Sequence, residues 1–134
     1  MIRVPVREEA DVAVARTRAR ELALREGFQE ARAAAVAIAV SELAWNIVHH
    51  AGAGEVLLEV VTERGRRAVV VVARDGHPGI ADLEAALRDG HSTRGGLGLG
   101  LPSARRLSDE FAIDSALGRG TTVTLKKWAD DPDA

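Results

Sequence analysis

The sequence predicts an α+β fold, a two-layer sandwich in which helices cover a β-sheet. Two observations predict it. Apolar residues recur at helical spacing in two long segments near the N-terminus: Val12, Ala15, Ala19 and Leu22 in the first, Val36, Val40, Leu43 and Ile47 in the second. Short β-rich runs follow, paired across tight turns as hairpins. No repeat or linker interrupts the pattern, which reads as a single domain over residues 1–128 with a short acidic tail at 129–134.

Each element has its own signal. Residues 2–6 alternate as a first strand, and Pro5, with no N–H to donate, favours a sheet edge. A helix over about 8–26 ends at Gly27, where left-handed backbone is easily adopted. The second helix, over about 29–50, stops at the Ala51-Gly52-Ala53-Gly54 turn. Glu42, Asn46, His49 and His50 share a face beside its apolar stripe, because residues three, four and seven apart stack on an α-helix. Strands over 55–62 and 68–73 join through Glu63-Arg64-Gly65-Arg66, with Asp75 just after the second. A short helix over 81–88 precedes a glycine-rich segment. Pro102 suits the first turn of a helix over about 101–108. Strands over 111–116 and 121–128 close the chain as a hairpin.

Composition removes several classes of function. The chain of 134 residues has no cysteine, so disulfides, thiolate metal sites and cysteine nucleophiles are excluded, and a reducing, cytoplasmic setting fits. The net charge is −2 and the arginines are scattered among acids, whereas nucleic-acid binding calls for a concentrated basic surface. The longest apolar stretch, 33–40, has the length of a buried helix segment, and no basic, apolar leader opens the chain, so no membrane partner is expected. His and carboxylate residues nowhere take the spacing of a structural zinc site.

What remains points to a phosphate-bearing ligand. Gly95, Gly96, Leu97, Gly98, Leu99 and Gly100 run directly into the Pro102 helix, offering backbone N–H groups and a positive helix end to phosphates. Asp75 at a strand end reads either as a turn cap or as an acceptor for an adenine amine. A helical Glu42/Asn46 pair is by itself most often exposed surface; beside the glycine segments it can hold a magnesium ion and orient an attacking hydroxyl. Thr121 is at home on a strand for its shape alone. Trp45 and Trp128 read as packing residues, with Trp45 also placed to line a partner surface.

Three motifs carry a family resemblance. Ser41-Glu42-Leu43-Ala44-Trp45-Asn46, then Asp75-Gly76-His77-Pro78-Gly79-Ile80, then the segment from His91 to Pro102 resemble the boxes of the GHKL (Bergerat) ATP-binding fold. Asp89-Gly90-His91-Ser92-Thr93, the stretch 104–111 and the close at 120–128 narrow the likeness to the RsbT-type switch serine/threonine kinases, and it covers nearly the whole chain. The resemblance implies a mixed, mostly antiparallel sheet with helices on one face. It implies ATP and Mg2+ as cofactors, with Glu42 as general base and Asn46 as the magnesium ligand. Asp75, assisted by Thr121, would take the adenine. His49, Gly79, Ile80, Ser92, Thr93 and the glycine segment from Gly95 to Gly100 would complete the nucleotide site. It further implies a partner-switching kinase that phosphorylates a STAS-domain antagonist and, once released, activates a PP2C-type phosphatase.

The chain departs from the family's pattern at His77, which stands where the first glycine of the Asp-x-Gly-x-Gly box is usual. Two other readings stay open at the level of sequence. One is an anti-sigma-factor kinase that binds a sigma factor. The other is a nucleotide-binding interaction module with weak catalysis. A histidine kinase would need an upstream phosphoacceptor helix, and a gyrase-type ATPase a second domain contributing a lysine.

Overall fold

The computed structural model describes residues 1–75, 100–116 and 120–130. Within them the elements run β1 (Ile2–Val6), α1 (Glu9–Arg25), α2 (Glu30–Asn46), a π-helical turn (Ile47–Ala51), β2 (Gly54–Glu63), β3 (Arg66–Asp75), α3 (Leu101–Leu107), β4 (Glu110–Ala116) and β5 (Gly120–Trp128). The expected helix over 81–88 lies outside the described residues. The five strands form one sheet in the order β1-β2-β3-β5-β4. All four pairings are antiparallel, so the mixed character expected of the sheet is absent among the described residues.

Local chemistry sets these boundaries. The Asp11 carboxylate accepts the N–H groups of Arg7 (2.9 Å) and Glu8 (3.3 Å), closing the start of α1. Gly27, at φ +92°, ends α1, and the Phe28 N–H returns to the Ala23 carbonyl at 3.0 Å. Pro5 sits on β1, which occupies a sheet edge as its missing donor requires. Arg64 and Gly65, at φ 53° and 77°, make the two-residue turn between β2 and β3, the geometry whose twist matches that of paired strands.

Strand alternation sorts the sheet into two faces. Val4, Val6, Val56, Leu58, Val69, Val71, Ala73, Val123 and Leu125 point to one side and are buried under the helices. Against them α2 lays Val36, Val40, Leu43 and Ile47, the stripe read from the sequence, each 2% exposed or less. α1 packs on α2 through Ala15, Ala19 and Leu22, where small side chains allow close approach. The run Glu30–Ala51 has the length and, at a mean hydropathy of 1.4, the composition of a membrane span. Its apolar stripe is the one buried against the sheet, which accounts for that hydropathy.

The far end of the sheet is tied to the start of α2. The Asp109 carboxylate accepts the Trp128 N–H at 2.8 Å and an Arg32 guanidinium N–H at 3.0 Å, while Arg32 Nε donates to the Trp128 carbonyl at 2.9 Å. The Arg66 guanidinium lies 4.3 Å from the centre of the Trp128 ring. Trp128 thus packs as expected. Ala129 and Asp130, at the head of the stretch read as a tail, are held by the Arg67 carbonyl and by Arg66. Charge-assisted bonds in a half-buried corner add to stability, and removing one partner strands the others. Asp109→Ala should therefore lower the unfolding free energy by about 1–3 kcal/mol in urea titrations. Arg32→Ala should cost a similar amount, and the double variant less than the sum. Additive costs would show that the corner is not one unit.

Candidate functional site

Glu42 and Asn46 lie one turn apart on α2, beside the stripe that fixes the helix to the sheet. Both are half-buried. The Glu42 carboxylate makes no hydrogen bond or ion pair with any described residue, and burial raises its pKa above the ordinary glutamate value. The side chain therefore holds a proton, or seeks one, at higher pH than a solvated carboxylate does. Asn46 Oδ1 is buried with no hydrogen-bond partner among the described residues. An orphaned acceptor costs about 1–3 kcal/mol, so it needs a reason. A hard cation would supply one, since Mg2+ takes oxygen ligands and needs only one or two from protein when phosphates and water complete its shell.

The last glycine of the glycine-rich segment comes to the same place. Gly100 has φ +76°, caps the start of α3, and lies directly under Glu42. A Cβ added there would collide with Glu42 Oε2 and come within 2.9 Å of the carboxyl carbon. Leu101 and Ala104, both buried, anchor α3 on α2 just beyond. A segment far from Glu42 in sequence therefore ends against its carboxylate.

Asp75 is the last residue of β3 rather than the first after it. Gly54 on β2 and Thr121 on β5 are its neighbours in the sheet. Gly54 is a residue that sequence reasoning passed over as part of a turn. A Cβ on it would meet the Arg74 carbonyl at 2.5 Å, Ile47 Cγ2 at 2.8 Å and Asp75 Cβ at 3.1 Å. Its bare backbone lets the end of α2 settle on the sheet next to Asp75, which joins the Glu42/Asn46 row to the strand end. Ser115 on β4, also unremarked in the sequence, is bonded to the Thr121 hydroxyl at 2.7 Å. The Gly54 signal was the second glycine of an Ala-Gly-Ala-Gly turn; Ser115 had none beyond its hairpin.

His49 goes elsewhere. From Ile47 the helix widens into a π turn, which breaks the α-helical stacking that aligned His49 and His50 with Glu42. The His49 ring packs on Trp45 at 3.9 Å, and its Nε2 faces the Glu9 carboxylate at 3.3 Å. Its described contacts are thus with Trp45 on α2 and Glu9 on α1. The pKa of His50 is lowered by burial and by His49 beside it. Trp45 is 46% exposed rather than packed in the core. Gly79, Ile80, Ser92, Thr93, Gly95, Gly96, Leu97, Gly98 and Leu99 lie outside the described residues, as does His77.

Comparison with known proteins gives the family. Residues 4–127 match the histidine kinase-like ATPase domain. The chain belongs to that family. It is also 42% identical over 125 residues to serine/threonine-protein kinase RsbT of Bacillus subtilis (strain 168), covering 93% of this chain and 94% of that protein. The resemblance read from the three motifs, both to the GHKL superfamily and to RsbT, is borne out. ATP is the nucleotide that a domain of this family uses.

Gly100 offers a direct test of the site. Gly100→Ala places a methyl against Glu42 and forces alanine into left-handed backbone, which costs about 1–2 kcal/mol of stability. Displacement of Glu42 should lower ATP turnover about 100-fold. Gly65→Ala, at a similar positive φ with open space around it, should cost comparable stability and leave turnover unchanged. Equal turnover losses in both variants would remove Gly100 from the site.

Proposed function

We propose that this chain is a partner-switching kinase. It transfers the γ-phosphate of ATP to a serine or threonine of a separate STAS-domain antagonist and, once released from it, activates a PP2C-type phosphatase in the cytoplasm. The enzyme class, a serine/threonine protein kinase, follows from near-full-length kinship with RsbT. The switching partners rest on the resemblance to RsbT-type kinases, and the observation that supports phosphoryl transfer is one juxtaposition. A carboxylate with raised pKa and no described partner stands one turn from a buried, unpartnered amide oxygen, against the glycine that ends the glycine-rich segment.

Each group has a chemical task in this reading. The Asp75 carboxylate accepts a hydrogen bond from the adenine amine, with the Thr121 oxygen beside it. Glu42 orients the attacking hydroxyl and takes its proton, a task suited to a carboxylate whose pKa burial has raised above the ordinary glutamate value. Asn46 holds Mg2+ through Oδ1. The ion would supply charge neutralisation at the phosphates, the main requirement of phosphoryl transfer. Ser92, Thr93 and the glycines from Gly95 onward would contact the phosphates, and Gly79 and Ile80 would border the base.

The test is label transfer from ATP to STAS-domain proteins encoded nearby, together with calorimetric ATP binding. Glu42→Ala should abolish transfer while retaining ATP binding, because the base and phosphate contacts lie elsewhere. Asp75→Asn should weaken ATP binding about tenfold or more, as the amine loses a charged acceptor. Undiminished transfer by Glu42→Ala would remove it from the mechanism. A wild-type protein that labels no STAS partner yet binds a sigma factor tightly would make the chain an anti-sigma factor. ATP binding without transfer to any partner would leave an interaction module.

A further inference from the structure

We propose that Ser115 sets the base selectivity of the nucleotide site by fixing the direction of the Thr121 hydroxyl. The inference rests on the reading that the purine meets Asp75. Ser115, Thr121 and Asp75 are consecutive cross-strand partners on β4, β5 and β3, in one row on the helix-facing side of the sheet. Side chains paired in this way stand roughly 4.5–5.5 Å apart at Cβ, so whatever edge lies on Asp75 also lies beside Thr121.

The hydrogen count decides the polarity of the row. Ser115 Oγ lies 3.1 Å from the Gly120 carbonyl oxygen and 2.7 Å from Thr121 Oγ1. A carbonyl only accepts, so Ser115 is the donor to Gly120. A hydroxyl has one hydrogen. With the Ser115 proton on the Gly120 carbonyl, Thr121 donates and Ser115 accepts in the shorter bond. The Thr121 proton points toward β4, away from Asp75, and its lone pairs are left for the ligand side. An ionised carboxylate also only accepts. Two acceptors side by side match an amino group on the purine edge. A carbonyl oxygen in the same place would face lone pairs alone, and buried polar groups left unpaired are what give such sites their discrimination. Without the Ser115 hydroxyl, Thr121 is free to turn its proton toward a bound carbonyl.

Ser115 is in this sense a positioning residue, and its signature is a ratio rather than a loss. ATP and ITP differ at purine position 6, amino in one and carbonyl in the other. Dissociation constants of both, with Mg2+, should be measured for the intact chain and its variants. The unaltered protein should prefer ATP by at least about 100-fold. Ser115→Ala should cut that preference about tenfold, mainly through tighter ITP binding, an effect of the size of one hydrogen bond. Ser115→Thr keeps the hydroxyl and should keep the preference. With Thr121→Val in the background, Ser115→Ala should change the ratio no further. An unchanged ratio in folded Ser115→Ala, or an equal fall in Ser115→Thr, overturns the role of Ser115 and leaves the ATP site standing. Failure of the unaltered protein to bind ATP overturns both. Should Ser115→Ala not fold, Ser115→Cys, a weak donor of similar shape, decides by the same ratio.

Discussion

Everything in the site depends on how α2 is seated. The stripe of Val36, Val40, Leu43 and Ile47 is buried against β2, β3 and β5, and that burial fixes the rotation of the helix about its axis. A side chain of this kind contributes about 1.5–3 kcal/mol when fully buried, so the rotation is held by far more energy than any polar contact in the site supplies. Glu42 and Asn46 are carried along at the edge of the stripe. They reach a half-buried position because their hydrophobic neighbours demand the helix be there, with no partners of their own among the described residues.

Two glycines convert that seat into a site. Gly54 lets Ile47 lie against the sheet at the level of Asp75, and Gly100 lets the start of α3 run beneath the Glu42 carboxylate. Neither contributes a functional group. Each removes a side chain that would hold apart elements bearing the chemistry. The π turn after Asn46 has a related effect, since it redirects His49 toward Glu9 on α1 while leaving Glu42 and Asn46 on the regular helix.

Much of this was legible in the sequence because the governing signals were local. The stripes of α1 and α2, the stop at Gly27 and the edge strand with Pro5 all follow from periodicity or from one residue's backbone chemistry. Glu42 with Asn46, and Asp75 with Thr121, stood out through motif order, and the sheet register then made Asp75 and Thr121 neighbours. The misses share a different cause. The stacking of His49 with Glu42 holds only for an unbroken α-helix, and a π turn depends on how the helix end packs. Gly54 and Ser115 matter through contacts with residues distant in sequence, which no local pattern reports. Trp45, which by type could pack or line a partner surface, stands at the surface against His49.

In the function proposed above, one metal–nucleotide site spans the Asn46 end of α2 and the start of α3. The direct measurement is NMR of the labelled protein with ATP and Mn2+ in place of Mg2+, since the paramagnetic ion broadens signals by proximity. Glu42, the Asn46 side-chain amide and Gly100 should broaden strongly, while Arg32 and Trp128, at the opposite end of the sheet, stay sharp. That opposite end carries a crevice of about 620 Å³ lined by Arg32, Arg66 and Arg67, a basic surface that also attracts phosphates. Broadening there, with Asn46 and Gly100 unaffected, would contradict the proposed site.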